Sequence, residues 1–173
     1  MKKAVLFILV FAVALFLVAC VMQSEIKYPA GKDTKESFGD GTYQIGTIHE
    51  PTGYYNILYN CECQTCIMSY VEQFCMTKEM AYITGSDSWS FEEGEDLIKY
   101  TYKLYAAIEL TSNRLTLCII PDRSSAPDMP TIYLDKMIKN GDLQLISSLT
   151  DFPDSDQSVF EKLDQKTREE SAS

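Results

Sequence analysis

The chain is poor in the residues on which most catalytic sites depend. Its 173 residues include one histidine, His49, and one tryptophan, Trp89. A Ser-His-Asp or Cys-His site would have to use His49. That residue stands beside Pro51 in a turn-like stretch and reads as an exposed turn residue. No G-x-S-x-G or H-E-x-x-H stretch occurs. Gly39-Asp40-Gly41 lacks the helix-opening Lys-Ser/Thr of a phosphate loop and reads as a turn. Positive charge is also scarce. Fifteen Lys and Arg face 25 Asp and Glu, for a net charge of −10. Such a surface repels nucleic acid and anionic lipid headgroups, so neither is an expected partner. The D-x-D-x-D-G pattern of a calcium loop is missing, so Glu92, Glu93, Glu95 and Asp96 read as a solvated loop.

What the chain does have is concentrated at its start. Lys2 and Lys3 precede an unbroken apolar run from Ala4 to Ala19, followed by Cys20. A charged n-region, an apolar h-region and small residues at its end form the layout of an export signal. Leu17-Val18-Ala19-Cys20 resembles the lipobox of bacterial lipoproteins. The resemblance implies that Cys20 carries a diacylglycerol and begins the mature chain, anchored on the outer face of a bacterial membrane. The competing reading is an uncleaved membrane helix, because the apolar run continues to Met22. Both readings leave the lysines in the cytoplasm and the body outside. Removing residues 1–19 takes two lysines and no acid, so the remaining 154 residues carry a net charge of −12.

Five cysteines follow Cys20. Cys61, Cys63 and Cys66 lie within six residues, with Cys75 and Cys118 further on. Three thiolates at that spacing can grip Zn²⁺, with Cys75 as a fourth ligand, and Cys63-x₂-Cys66 has the spacing of a dithiol redox pair. No second C-x₂-C or nearby histidine completes a metal motif, and no βαβ pattern surrounds the pair. An oxidising compartment favours structural disulfides, yet five is odd. Disulfides, free buried thiols, a metal site and a redox pair therefore all stand as readings.

Along the body, residues 20–38 read as a lipidated tether and residues 39–173 as one domain. Thr42 to Ile48 and Tyr54 to Asn60 are β-like, the latter with Tyr55, Ile57 and Tyr59 on one face. Ile67 to Met76 fits helix and strand spacing almost equally, with the balance toward strand. Gly85 to Asp96 reads as a loop carrying Trp89 and Phe91, which form a candidate binding patch. The clearest element is Ile98 to Leu110. Seven apolar positions at period two make it a half-buried strand, paired through Thr111-Ser112-Asn113-Arg114 with a return strand from Leu115 to Ile120. A short helix over Ile132 to Asn140 with Thr131 as its cap, and a last helix from near Ser155 with Val159, Phe160 and Leu163 on one face, complete the chain.

The fold class expected is α+β: an antiparallel, meander-like sheet with one or two C-terminal helices, preceded by an N-terminal signal helix. The body resembles small uncharacterised lipoproteins of low-GC Gram-positive bacteria. That resemblance carries no residues. The anchor together with the lack of any catalytic signature gives the expectation of an extracytoplasmic, non-enzymatic binding or interaction module, partnered by the membrane through its lipid and by a protein or ligand. A thiol-dependent redox or metal protein using Cys61, Cys63 and Cys66 is the alternative, and a carboxylate-based hydrolase a third. No cofactor is expected, apart from Zn²⁺ in the reading that makes the cysteines a metal site.

Overall fold

A computed structural model describes residues 26–51, 53–94 and 96–172. The stretch read as a signal helix, and Cys20, lie outside the described residues. Among the described residues nine strands run in chain order: β1 (Thr34–Phe38), β2 (Tyr43–Glu50), β3 (Gly53–Asn60), β4 (Thr65–Met68), β5 (Tyr70–Met76), β6 (Met80–Glu93), β7 (Asp96–Glu109), β8 (Arg114–Pro121) and β9 (Leu143–Ile146). A 3₁₀ turn at Ile132–Leu134 leads into α1 (Asp135–Asn140), and α2 (Asp154–Ser171) ends the described chain. The class is α+β.

The strands form two sheets rather than one. Strands β1 to β4 make a four-stranded meander, and β5 to β9 a five-stranded sheet in sequence order. The break falls at Ser69, where the chain leaves β4 and enters β5. That crossing lies directly over Gly85 on β6. A Cβ there would stand 2.0 Å from the Tyr70 carbonyl oxygen and 2.4 Å from Met68 Sδ. Only glycine admits so close a backbone approach.

The two sheets share one core. Tyr43, Ile45 and Leu58 from the first meet Ile83, Leu104 and Leu117 from the second, all fully buried. Period-two alternation turns the intervening residues of the second sheet the other way. Tyr82, Tyr105 and Cys118 form a smaller core beneath Phe152, Phe160 and Leu163, the last two from α2. The layers are therefore sheet, sheet, helix. Phe160 sits edge-on between two tyrosines, its centroid 5.5 Å from that of Tyr82 and 5.4 Å from that of Tyr105. Asp154 and Asp156 stand in the first turn of α2, where carboxylates complement the helix dipole. Polar contacts tie the same helix down. The Tyr82 hydroxyl donates to Asp156 at 2.9 Å, the Tyr105 hydroxyl to Asp164 at 2.7 Å, and Lys103 lies between Asp164 (3.2 Å) and Glu72.

Several expectations need correction. The stretch from Gly85 to Glu93 is not a loop but the second half of β6, paired with β7 from Leu104 to Asp96. Its serines mislead. Ser86, Ser88 and Ser90 alternate with Asp87, Trp89 and Phe91, which is a strand period in a polar composition. The sheet is not wholly a meander, because β9 pairs parallel with β8, Leu115 opposite Leu143. The residues from 122 to 142, with α1, form the crossover that a parallel pair requires. Thr131 makes no side-chain cap bond, and the helix begins as a 3₁₀ turn. It does end at Gly141, whose φ of 79° is the left-handed C-cap conformation. His49 belongs to β2 rather than to a turn, and its side chain is exposed. The last five residues of the segment read as tether pair with β2 as β1, and Phe38 is fully buried.

Candidate functional site

The cysteines do not converge. Cys61 and Cys63 lie in the turn between β3 and β4, where Asn60 Oδ1 accepts the Cys63 backbone N–H at 2.7 Å. Cys66 is on β4, and its thiol donates to the Met68 carbonyl at 3.6 Å. Cys75 is on β5 of the other sheet and packs against the small core under α2, whereas Cys63 packs against the main core. All five described cysteines are unpaired. Among the described residues, no group of three or more His, Cys, Asp or Glu is placed to hold a metal ion. Burial pushes the Cys61, Cys63, Cys66 and Cys75 thiols above their ordinary value, and Cys118 up to about 11. A reactive thiol needs the opposite shift.

Trp89 and Phe91 project from the inner face of the β6–β7 ribbon into the edge of the main core. Trp89 stacks on Tyr133 with ring centroids 5.9 Å apart, and Phe91 meets Tyr100 edge-on at 5.9 Å. The indole N–H and the Tyr133 hydroxyl are both enclosed without a protein partner. These rings wedge the ribbon onto the segment that follows β8. They are packing residues more than an open patch. Among the loop acids, Glu93 stands opposite Asp96 at the ribbon tip and accepts the Tyr100 hydroxyl. Glu72 and Asp164, brought together from β5 and α2, are bridged by Lys103, which places a cation between two carboxylates.

An open aromatic surface exists elsewhere, on the outer face of the four-stranded sheet. Tyr43, Ile45 and Leu58 point inward, so their alternates Ile48, Tyr55, Ile57 and Tyr59 share the opposite face. Ile57 lies opposite Gly46 and Ile48 opposite Tyr55. Gly46 has no side chain to cover its neighbour. Tyr70, at the start of β5, extends this face by packing its ring tilted against that of Tyr55, centroids 4.9 Å apart, and remains 49 % exposed. The Tyr55 hydroxyl donates to Glu50 at 3.2 Å, which orients the ring. Tyr54 at the hairpin end is 75 % exposed beside His49. The sequence signal for this face was the Tyr55, Ile57, Tyr59 alternation. Nothing in it told a core face from an open one.

Among the described residues, no helix is long and apolar enough to cross a membrane. The chain matches no protein-family model, and comparison with curated proteins and with solved structures finds no match.

Proposed function

We propose that this chain is an extracytoplasmic lipoprotein, anchored through lipid on Cys20, whose body is a non-enzymatic binding module. Its contact surface is the outer face of the four-stranded sheet, centred on Tyr55, Ile57 and Tyr70. The observation that carries the reading is the tilted Tyr55–Tyr70 ring pair on the outer face of the first sheet, with Tyr70 49 % exposed and Tyr55 partly exposed. Tyrosine is enriched at protein interfaces because it offers a large rigid contact area with a polar tip. The apolar run ending in Leu17-Val18-Ala19-Cys20 supports the anchor. The thiol-based alternative has less support, since Cys75 lies apart from the Cys61–Cys66 turn and burial raises every described thiol.

A photo-crosslinking residue placed at Ile57 in cells producing the chain tests the surface, with the same residue at the exposed Glu161 of α2 as control. The expected result is a discrete adduct from position 57 alone, lost when Tyr55 and Tyr70 are both changed to serine. Equal adducts from both positions, or an adduct indifferent to the serine changes, would remove the sheet face from the account.

A further inference from the structure

Beyond Ser86, strand β6 loses one of its two neighbours. Its pairing with β5 ends at Tyr70 opposite Ser86, whereas its pairing with β7 continues to Glu93 opposite Asp96 without a register shift. The outer half of β6 therefore forms a two-stranded arm with β7. In an antiparallel pair, alternate residues turn both N–H and C=O to the same side. Two bonds fix which residues turn outward. The Met80 carbonyl accepts the Thr77 N–H on the β5 side, so the even-numbered residues of β6 face away from β7. The Thr101 carbonyl accepts the Asp122 N–H, so Thr101 faces away from β6, and its partner Ser88 faces away from β7. Ser88, Ser90 and Glu92 thus present their backbone groups past the end of β5. The Asp87 carboxylate accepts the Ser88 N–H at 2.8 Å. Among the described residues, no strand or loop pairs with the Ser88 carbonyl or with the N–H and C=O of Ser90 and Glu92. The side chains of Ser90 and Glu92 are exposed.

Sheet edges are commonly blunted by lysine, proline or a bulge. The β7 edge of the arm carries Lys99 among its outward residues. The β6 edge from Ser88 to Glu92 carries none of the three. Such an edge is a template for an added strand. The surroundings decide which strand fits. Trp89 and Phe91 alternate with the outward residues and lie partly buried on the inner face. From Asp87 to Lys99 there are five acids against one basic residue, Lys99 itself. That charge opposes pairing with a second copy and favours a basic partner.

We infer that the β6 edge from Ser88 to Glu92 binds an extended segment of a basic partner protein, which adds a strand to the second sheet. Partner residues opposite Ser88, Ser90 and Glu92 share the outer face, where a Lys or Arg meets Glu92. The residues between them lie beside Trp89 and Phe91, where apolar side chains fit. Backbone bonds supply the affinity, and the alternation of basic and apolar side chains supplies the selection. The edge belongs to the second sheet and uses neither Tyr55 nor Ile57.

Random nine-residue peptides, displayed and panned against the full chain in detergent micelles, test it. The expected enrichment is for two apolar residues spaced two apart with a Lys or Arg beside them. Ser90→Pro removes an outward N–H and no bond to β7, so the arm stays folded while the enrichment falls about tenfold or more. Near-UV dichroism of Trp89 checks the fold. Glu92→Lys lowers the enrichment similarly, whereas Glu161→Lys, the same change of charge at an exposed position on α2, leaves it unchanged. Residue-resolved amide exchange gives a readout independent of any variant. In the free chain the Ser90 and Glu92 amides exchange fast and those of Trp89 and Phe91 slowly, and an enriched peptide slows Ser90 and Glu92 about tenfold or more. Absence of a motif, an acidic motif, a motif indifferent to Ser90→Pro, or an equal effect of Glu92→Lys and Glu161→Lys overturns the proposal. Ser90 and Glu92 amides that are already slow in the free chain overturn it too. Self-association abolished by Ser90→Pro does the same, by assigning the edge to a second copy of the chain.

Discussion

Replacing Phe160 with alanine should release α2 from the sheet while leaving the sheet-on-sheet core in place. Phe160 is 1 % exposed and holds edge-on contacts with Tyr82 and Tyr105 and a tilted one with Phe152 at 4.9 Å. Truncating a buried phenylalanine costs about 3–5 kcal/mol, a figure that includes the cavity left behind. Because the small core under α2 is separate from the main core, most of that loss should fall on docking of the helix. Cys118 reports it directly. It is fully buried beneath the helix, so its alkylation at neutral pH requires an opening. At about 1.4 kcal/mol per decade, the variant should raise Cys118 labelling roughly 10²-fold to several 10³-fold. Peptide mapping by mass spectrometry separates Cys118 from the other cysteines, and Trp89 fluorescence follows the main core. Labelling of Cys118 in the unchanged chain as fast as that of Cys61, or a rise below about tenfold in the variant, would refute the reasoning.

Three further outcomes follow from the same packing. Burial and then the Asp156 carboxylate push the Tyr82 phenol up to about 12, so its neutral form contributes stability that is complete below the unfolded value near 10 and is lost as pH rises toward 12. The urea stability gap between the unchanged chain and Tyr82→Phe should therefore shrink by about 2 kcal/mol between pH 9 and pH 11.5, and a constant gap would contradict this. Gly85→Ala should cost about 3 kcal/mol or more in urea denaturation, because the new methyl would meet the Tyr70 carbonyl oxygen, a backbone atom that cannot swing aside. Lys103→Met should cost about 1–2 kcal/mol, since it leaves Glu72 and Asp164 facing each other partly out of water. In a double-mutant cycle with Asp164→Leu, coupling indistinguishable from zero would show that the bridge contributes nothing.

The legible parts of the fold are those where one physical pattern had no competitor. Ile98 to Leu110 alternates over seven apolar positions, and a helix would scatter them, so β7 and its return strand β8 could be read with nearly correct ends. Val159, Phe160 and Leu163 marked the inward face of α2 in the same way. The outer half of β6 was hidden because serine, glycine and acid residues occupy the part of the strand that runs out beyond its neighbour β5. There the outer face is solvated and only Trp89 and Phe91 report the inner one. The division into two sheets was hidden because a single residue, Ser69, separates β4 from β5, with no turn signal to mark it. The parallel placement of β9 depends on where the crossover delivers Leu143, and a four-residue strand carries no sign of direction.

The surfaces were less legible than the fold. Cysteine spacing drew attention to Cys61, Cys63, Cys66 and Cys75, but proximity in sequence ended at Ser69, beyond which Cys75 belongs to the other sheet. Trp89 drew attention as a loop aromatic, and its partner Tyr133 was too distant in sequence to suggest a stack. The Tyr55, Ile57, Tyr59 face was visible as a face, yet its openness follows from the inward alternates Tyr43, Ile45 and Leu58 having already filled the core.

The account depends most on the body lying outside the membrane on a lipid. The most direct test is the intact mass of the protein taken from membranes of its own cells. The account predicts a chain that begins at Cys20, 154 residues long, carrying the added mass of a diacylglycerol and sensitive to globomycin-type inhibition of signal cleavage. A chain that retains Met1 to Ala19, or one that begins at Cys20 without lipid, would contradict it.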